Sequence, residues 1–242
     1  MAEQLAGHPE QVRQLFDAKA ATWSAKYAPD GRLISRLSSL AGALARYVPA
    51  GGRVLDLGCG TGELARAAAA ASMRVAACDI SPDMLVGATA QDPDSLVDWV
   101  QLDLGWRTLP FEPASFDAVV GASVLEYVDD PAAVLGECAR VLRPGGFVLC
   151  TVPNTWHPVR WLEWLLRAMV CCPAGRIASR GRPRLVDYFT YLRISRQRHL
   201  ARWWRTAAMH AGMRIVPGAD AAGMRSTLRL FVFQRLEELG EA

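Results

Sequence analysis

Glycines and acidic residues stand at regular points in the first half of this 242-residue chain. The segment 54–62, VLDLGCGTG, joins an apolar run that contains Asp56 to three glycines. Such a run predicts a buried strand that ends in a tight turn and leads into a helix, where a ligand can approach the backbone closely. Asp79 closes the next apolar run, nineteen positions after Gly60. A carboxylate there can accept hydrogen bonds from both ribose hydroxyls, so the spacing indicates a site for an adenosine-containing ligand.

The acidic residues of this segment distinguish two classes of adenosine ligand. The fingerprint of a nicotinamide dinucleotide has a further glycine where this chain has Glu63. The pyrophosphate of a dinucleotide would lie near Asp56 and Glu63, and like charges at that separation repel one another. S-adenosylmethionine has no phosphate, and its sulfonium and ammonium groups are compatible with acidic surroundings. The two acids therefore favour S-adenosylmethionine as cofactor, with S-adenosylhomocysteine as its product.

Alternating elements must position these residues. Five apolar runs, separated by helical segments or turns, predict the strands of a parallel sheet: Arg53–Leu57, Arg74–Cys78, Val97–Leu102, Asp117–Gly121 and Phe147–Val152. A helix near residues 202–211 and two strands at 214–216 and 227–234 follow. The pattern predicts four regions, namely a helical cap (1–48), a cofactor-binding core (49–153), a substrate-facing lid (154–200) and a C-terminal helix with two strands that complete the sheet (201–242).

Six motifs, in order along residues 15–152, resemble the class I S-adenosylmethionine-dependent methyltransferases of the ubiquinone/menaquinone-methyltransferase-like type (methyltransferase type 11). They are FDAKAATW (16–23), DLGCGTG (56–62), DISPDM (79–84), DL (103–104), LEYV (125–128) and LRPGG (142–146). The resemblance implies a Rossmann-like α/β fold. We expect a seven-stranded, mostly parallel sheet with an antiparallel last strand and helices on both faces. The predicted lid would be inserted after the fifth strand.

The resemblance also implies which residues bind the cofactor, and they form three groups. Residues around the methionine moiety lie in or beside the glycine loop: Asp56, Gly58, Cys59 and Gly60. Residues around the ribose and adenine follow the second and third strands: Asp79, Ile80, Met84, Asp103 and Leu104. Residues that line the remaining cofactor surface follow the fourth strand or close over it from the N-terminal helices: Ser123, Val124 and Tyr27.

Catalysis of methyl transfer needs an in-line nucleophile and a dry site, so a dedicated base is optional. For a hydroxyl acceptor a base helps, and Tyr127, Glu126 and His157 are candidates at strand carboxyl ends. We select His157, with Tyr127 second, and a loop histidine without a role is the alternative. Glu126 could instead orient the loop that carries Ser123. Metal-dependent quinone O-methyltransferases have paired histidines after the fourth strand, which this chain lacks, so we expect no metal.

The lid suggests the chemical class of the acceptor. Residues 176–205 contain nine arginines and one acidic residue, a net charge of +8, whereas the whole chain carries +3. This charge suits an anionic small molecule, acidic lipid headgroups or nucleic acid, and a solvated basic surface is the alternative. The preceding segment 156–170 is apolar nearly all round. Together they favour O-methylation of a hydrophobic or aromatic small molecule, quinone-like or from secondary metabolism, with peripheral membrane contact through the lid.

Other classes of function receive less support. Amino-methylating enzymes of nucleic acid carry an Asn/Asp-Pro-Pro-aromatic motif that is absent after the fifth strand, so we expect no nucleic-acid partner. The N-terminus lacks the pattern of a signal peptide, and the six cysteines lack metal-site spacing, so the cytoplasm is predicted. The alternative function is a cofactor-binding, membrane-surface protein that acts on lipid-like substrates or as a non-catalytic assembly partner. The oligomeric state and the accepting atom stay open.

Overall fold

The computed structural model describes residues 7–31, 33–170, 183–218 and 226–237. One seven-stranded sheet forms its centre. The strands are β1 (Arg53–Leu57), β2 (Arg74–Asp79), β3 (Val97–Gln101), β4 (Phe116–Ala122), β5 (Leu142–Pro153), β6 (Met213–Ile215) and β7 (Leu228–Arg235). Their order is β3-β2-β1-β4-β5-β7-β6, and β7 alone runs opposite to the other six strands. The predicted seven-stranded, mostly parallel sheet is confirmed.

Helices cover both faces of this sheet. They are α1 (His8–Asp17), α2 (Ala20–Trp23), α3 (Ile34–Tyr47), α4 (Glu63–Ala70), α5 (Pro82–Ala90), α6 (Pro131–Val141), α7 (Pro158–Val170), α8 (Pro183–Ile194) and α9 (Ala201–His210), with a 3-10 turn at Ser24–Tyr27. Successive residues of β1 point to opposite faces. Leu55 therefore packs in the core that contains α6 and α9, whereas Val54 packs with α3 and α4.

Local sequence sets where two of the helices begin. Asp130 caps α6 by accepting hydrogen bonds from the Ala132 and Ala133 amides, both at 3.0 Å, and Pro131 occupies its first turn. Ser81 caps α5 through the Met84 amide at 3.1 Å. These caps set where α5 and α6 begin, after the carboxyl ends of β2 and β4.

The helices outside the core meet above the carboxyl ends of the strands. α1 packs against the end of α8, where Val12 and Leu15 contact Ile194. α7 follows β5, as the predicted lid does, and contacts α8. Residues 171–182 of that lid, with three of its arginines, lie outside the described residues, and the four-region division stays a prediction. No helix in the described part of the chain is long and apolar enough to span a bilayer.

Candidate functional site

A cleft of about 800 Å³ opens at the carboxyl ends of β1, β2 and β4. Its floor consists of the turns that follow these strands. Its roof comes from α1, α2, α3 and α8, which contribute Phe16, Trp23, Arg36, Tyr188 and Tyr191. In open parallel sheets, ligands bind at this edge, where the strand order reverses. Here the reversal lies between β1 and β4, so the topology and the cleft agree.

The glycine loop after β1 forms the floor. Gly58 has a φ of +70° and Gly62 a φ of +79°, in the left-handed region that favours glycine. A Cβ atom on Gly58 would lie 2.7 Å from the Val124 side chain, and one on Gly62 would lie 2.3 Å from the Trp99 ring. Only glycine fits either position, so the loop holds a shape that leaves its backbone accessible from the cleft.

Asp79 ties this loop to the end of β2. One carboxylate oxygen accepts a hydrogen bond from the Gly60 amide at 2.8 Å, and the other accepts one from the Ser81 amide at 2.9 Å. Burial raises the pKa of Asp79, although these backbone hydrogen bonds oppose the shift. Each oxygen keeps a further lone pair, so the carboxylate can still accept hydrogen bonds from a ligand in the cleft.

Asp56 is the unusual group of the floor. Its side chain is 1% exposed, and neither carboxylate oxygen has a hydrogen-bond partner among the described residues. Burial raises its pKa to about 7, with further contributions from the negative charges of Asp79 and Glu63. The nearby Ala65 amide, whose geometry falls short of a hydrogen bond, and the Arg36 guanidinium act in the opposite direction. A buried carboxylate without partners is costly, so this position suits a cationic ligand group.

A basic residue that the sequence analysis missed faces the same space. Arg36 on α3 donates hydrogen bonds to the Ser123 hydroxyl at 3.0 Å and to the Tyr27 hydroxyl. Its Nε is buried and has no partner among the described residues. Ser123 also lies 3.2 Å from the Thr151 hydroxyl. In the sequence, Arg36 resembles any arginine on a helix surface, and only the packing of α3 over β4 distinguishes it.

Ten of the fourteen predicted site residues line the cleft: Tyr27, Asp56, Gly58, Cys59, Gly60, Asp79, Ile80, Ser123, Val124 and Tyr127. Met84 is buried beneath the glycine loop rather than in the lining. Asp103 and Leu104 are exposed, and the structure places Leu102 and Trp106 in the lining beside them. The roles assigned to these residues stay predictions.

His157, the selected base, does not belong to the described lining of the cleft. Its Nδ1 accepts a hydrogen bond from the Val159 amide at 3.2 Å, in the first turn of α7. Tyr127, the second candidate, lines the cleft, but burial raises its pKa well above the usual value, with a contribution from the negative charge of Glu126. At neutral pH Tyr127 therefore keeps its proton, so it can donate a hydrogen bond and is a poor base.

Aromatic side chains form the wall that faces the glycine loop. The Phe16 ring meets the Trp23 and Tyr127 rings edge-on, at centroid distances of 5.4 and 5.2 Å. Tyr127 lies 6.4 Å from Tyr191, which stacks on Tyr188 at 6.1 Å. Rings at these separations attract one another and present flat apolar surfaces. This aromatic wall (Phe16, Trp23, Tyr127, Tyr188 and Tyr191) suits a planar ligand.

Glu126 joins the aromatic wall to the segment after α8. One carboxylate oxygen, Oε2, accepts hydrogen bonds from the Ser195 hydroxyl at 2.6 Å and the Tyr191 hydroxyl at 3.4 Å. Its backbone oxygen accepts from the Arg196 and Gln197 amides at 3.0 and 3.3 Å. Glu126 is 3% exposed and lines the cleft. The sequence analysis considered it without selecting it, because these partners lie about 70 positions away.

The buried carboxylate of Glu163 connects α7 with α8. Glu163 on α7 forms ion pairs with Arg160, at 2.7 Å, and with Arg198, and it accepts a hydrogen bond from the Tyr188 hydroxyl at 3.2 Å. Arg160 also donates to the Tyr191 hydroxyl at 3.3 Å. Burial alone raises the pKa of Glu163, but the hydrogen bonds from Arg198 and Arg160 outweigh it and hold the pKa below its usual value. These contacts, the lid ion-pair network, hold α8 over the cleft.

Among the described residues, no group of three or more His, Cys, Asp or Glu side chains could hold a metal ion.

Comparison with known proteins identifies similar sequences and folds. Residues 55–150 match the family model described as "Methyltransferase domain". The chain is 32% identical over 189 residues to a ubiquinone biosynthesis O-methyltransferase of Xylella fastidiosa (strain 9a5c). The aligned region covers 74% of this chain and 71% of that protein. It is 31% identical over 190 residues to the enzyme of the same name from Xanthomonas campestris pv. campestris (strain B100), covering 75% and 74%.

Solved structures share the fold at lower sequence identity. Magnesium protoporphyrin IX methyltransferase from Synechocystis PCC 6803, solved with bound S-adenosylhomocysteine, superposes with a TM-score of 0.66 at 18% identity, covering 92% of this chain and 98% of that one. The 4+2 cyclase SpnF also gives a TM-score of 0.66, at 16% identity, with 96% and 98% covered. Because one fold carries both reactions, these likenesses support the architecture alone.

Proposed function

We propose that this chain, which belongs to the class I S-adenosylmethionine-dependent methyltransferases, methylates an oxygen atom of a hydrophobic, aromatic small molecule. Family membership gives the enzyme class and the cofactor. The single observation that carries the choice of acceptor is the aromatic wall, which shares one cleft with the unpaired carboxylate of Asp56. The names of two relatives agree with this choice, since both are called ubiquinone biosynthesis O-methyltransferase.

The charges of the cleft fit the methionine end of the cofactor. Asp56 accepts no hydrogen bond from the described residues and would hold the ammonium group, whereas Arg36, which lines the same cleft, would hold the carboxylate. Asp79 keeps free lone pairs for the ribose hydroxyls. When bound, the cofactor supplies an electrophilic methyl group on a sulfonium sulfur. The residues of this chain orient both reactants and exclude water, which can supply much of the rate acceleration.

Titration calorimetry with S-adenosylhomocysteine tests cofactor binding, and a separate titration with NAD tests the other class of adenosine ligand. We expect S-adenosylhomocysteine to bind at micromolar or lower concentration and NAD not to bind. Asp79→Ala should weaken binding about 100-fold or more, because it removes the ribose acceptor and frees the Gly60 and Ser81 amides. Asp98→Ala, at an exposed position of β3, is the matched control and should leave the affinity unchanged.

Acceptor screening tests the reaction. Alkyl-substituted catechols and hydroquinones should be methylated at oxygen, as detected by mass spectrometry, whereas small polar alcohols and amines should not react. Binding of the cofactor without methylation of any aromatic hydroxyl would refute the proposed acceptor class. That result would favour the alternative of a cofactor-binding protein without turnover.

We also propose that the enzyme is cytoplasmic and makes a peripheral membrane contact through α7. Trp161 and Trp164 are 67% and 72% exposed, on the side of the helix away from buried Glu163, and Leu165 is 56% exposed. Exposed tryptophans and leucines beside a strongly basic segment are typical of helices that lie in the headgroup region of anionic membranes. The excess of arginines at 176–205 supplies that charge.

Vesicle sedimentation tests this contact. The protein should sediment with vesicles that contain phosphatidylglycerol and stay in the supernatant with phosphatidylcholine alone. Replacing Trp161 and Trp164 with serine should abolish sedimentation, and replacing the exposed Leu96 should not. Equal sedimentation of both variants would show that α7 is not the contact.

A further inference from the structure

We propose that Glu126 is the catalytic base that takes the proton of the acceptor hydroxyl, and that Tyr191 and Ser195 position its carboxylate. This assignment rests on the O-methylation proposed above. It replaces His157, which lies outside the described lining of the cleft, by a carboxylate that belongs to that lining.

The two oxygens of Glu126 have different surroundings. Oε2 accepts both hydrogen bonds, from Ser195 and from Tyr191. No described residue donates a hydrogen bond to Oε1. The polar atoms that are both fully buried and without a partner do not include Oε1. The side chain lines the cleft beside Tyr127 and Tyr191 of the aromatic wall. One oxygen is therefore anchored, and the other, which no described residue binds, can meet a hydroxyl group on a ring that packs against this wall.

The position also suits proton transfer. Burial raises the pKa of Glu126, while the Ser195 hydrogen bond and the positive charges of Arg160 and Arg198 lower it, with a net shift upward. A carboxylate with a raised pKa binds a proton more strongly than an exposed one, and so it is a better base near neutral pH. The two arginines keep the negative charge from being isolated in the protein interior.

The proposed step conserves atoms, electrons and charge. As the acceptor oxygen forms its bond to the methyl carbon, the bond between methyl and sulfur breaks and its electron pair stays on sulfur. The proton of the acceptor hydroxyl passes to Oε1 of Glu126. That proton leaves to solvent when the methylated product departs. The products are the methyl ether, S-adenosylhomocysteine and one proton.

Other acids of the described lining are less suited. Asp79 is occupied by two backbone amides, and Glu63 accepts a hydrogen bond from the Thr61 hydroxyl at 2.7 Å. Asp56 lies at the end of the cleft that we assign to the cofactor ammonium group. Asp187 on α8 lines the cleft but is exposed to water. Asp187 is therefore the alternative base, and Asp187→Asn tests that alternative.

Two catechols of different acidity test the assignment. For 4-tert-butylcatechol, which is un-ionised at pH 7, Glu126→Gln should lower kcat about 100-fold. For 4-nitrocatechol, which ionises near neutral pH, the same variant should retain kcat within about threefold at pH 8, because the acceptor has already lost its proton. Asp98→Asn, at an exposed position of β3 outside the described lining of the cleft, is the control and should match the wild-type protein on both. Calorimetry with S-adenosylhomocysteine should give all three proteins the same affinity within about threefold.

The pH profile separates the base from its positioning residues. With 4-tert-butylcatechol, the wild-type kcat should fall at low pH as Glu126 becomes protonated, and Glu126→Gln should lack this limb. Tyr191→Phe and Ser195→Ala remove hydrogen bonds to the ionised carboxylate, so the limb should move to higher pH. A merely structural role would lower kcat without moving the limb.

Each failure has a separate meaning. If the wild-type protein binds S-adenosylhomocysteine but methylates neither catechol, the proposed acceptor class is wrong and the assignment of the base falls with it. If the wild-type protein methylates both and Glu126→Gln loses kcat equally on both, Glu126 is structural. If Asp187→Asn shows the acceptor-dependent loss instead, Asp187 is the base.

Discussion

The floor and the roof of the cleft are held by different kinds of bond. On the floor, the Gly60 and Ser81 amides bind Asp79, and the Cys78 carbonyl accepts from the Gly58 amide at 2.8 Å. The roof helix α8 is held by side chains that bind side chains, with Glu163 on α7 at the centre of the lid ion-pair network. The floor therefore depends on backbone shape, and the roof depends on residue identity at distant positions.

This difference suits the two ligands. A cofactor that many enzymes share can be held by a loop whose backbone is fixed by glycines and by one carboxylate. An acceptor that differs between enzymes needs a surface that can change, and substitutions on α7 and α8 can change it without disturbing the sheet. Buried ion pairs stabilise such a surface only while every partner is present.

The stability of the floor and the stability of the roof also depend on pH in opposite directions. Asp56 has a pKa raised to about 7, so its contribution to stability is complete at low pH and is lost as pH rises through 7. Glu163 has a lowered pKa, so its contribution is present near neutral pH and is lost as pH falls through the acid range. The floor therefore prefers a protonated carboxyl until its ligand binds, and the roof requires an ionised one.

Asp56→Asn should give the largest effect and separates stability from binding. At pH 8 the free energy of unfolding should rise by up to about 4 kcal/mol, since the variant no longer buries an ionised group whose pKa is shifted from 3.8 to about 7. The gain should shrink towards pH 4, as measured by urea unfolding. In the same variant S-adenosylhomocysteine should bind about 30-fold more weakly, because the ammonium group loses its ionised partner. If Asp56→Asn is no more stable than the wild-type protein at pH 8, the ionised carboxylate of Asp56 does not destabilise the floor.

Glu163→Gln should give the next largest effect, and it should act on the roof alone. Arg160 and Arg198 lose their buried partner, so the free energy of unfolding should fall by about 3 kcal/mol. The affinity for S-adenosylhomocysteine, measured by calorimetry, should change less than threefold, because the floor keeps its backbone hydrogen bonds. Glu112→Gln, at an exposed position, is the control and should change stability by less than about 0.5 kcal/mol. Loss of cofactor affinity in Glu163→Gln would show that floor and roof are coupled.

The pH dependence of cofactor binding should be the smallest of the three effects. The bound ammonium group favours ionised Asp56, so the dissociation constant of S-adenosylhomocysteine should rise as pH falls below about 7, by at most tenfold per pH unit. Binding at pH 6 should release a proton, which calorimetry in two buffers of different ionisation enthalpy detects. Asp56→Asn should show neither effect. An affinity that stays constant between pH 8 and pH 6 in the wild-type protein would remove Asp56 from the ammonium site.

Local sequence patterns predicted the sheet and the glycine loop that forms the floor of the cleft. Strand runs, helix caps and left-handed glycines are local properties, because each depends on residues within a few positions of one another. Asp79 could be placed beside the loop since consecutive parallel strands end at the same edge of a sheet. The cofactor class followed from the acidic residues of that loop.

The roof of the cleft and the contacts of Glu126 could be recognised only in the folded structure. Arg36, Glu126 and Glu163 have partners between 3 and 87 positions away, and most of these contacts cross elements whose packing the sequence pattern does not specify. His157 follows the expected strand, yet α7 begins there and the histidine lies outside the described lining. The sequence pattern around a charged residue on an amphipathic helix is the same whether its side chain faces water or a cleft. Periodicity predicts which residues share a face of the helix, but not what packs against that face. The proposed acceptor site therefore had to be inferred from the structure.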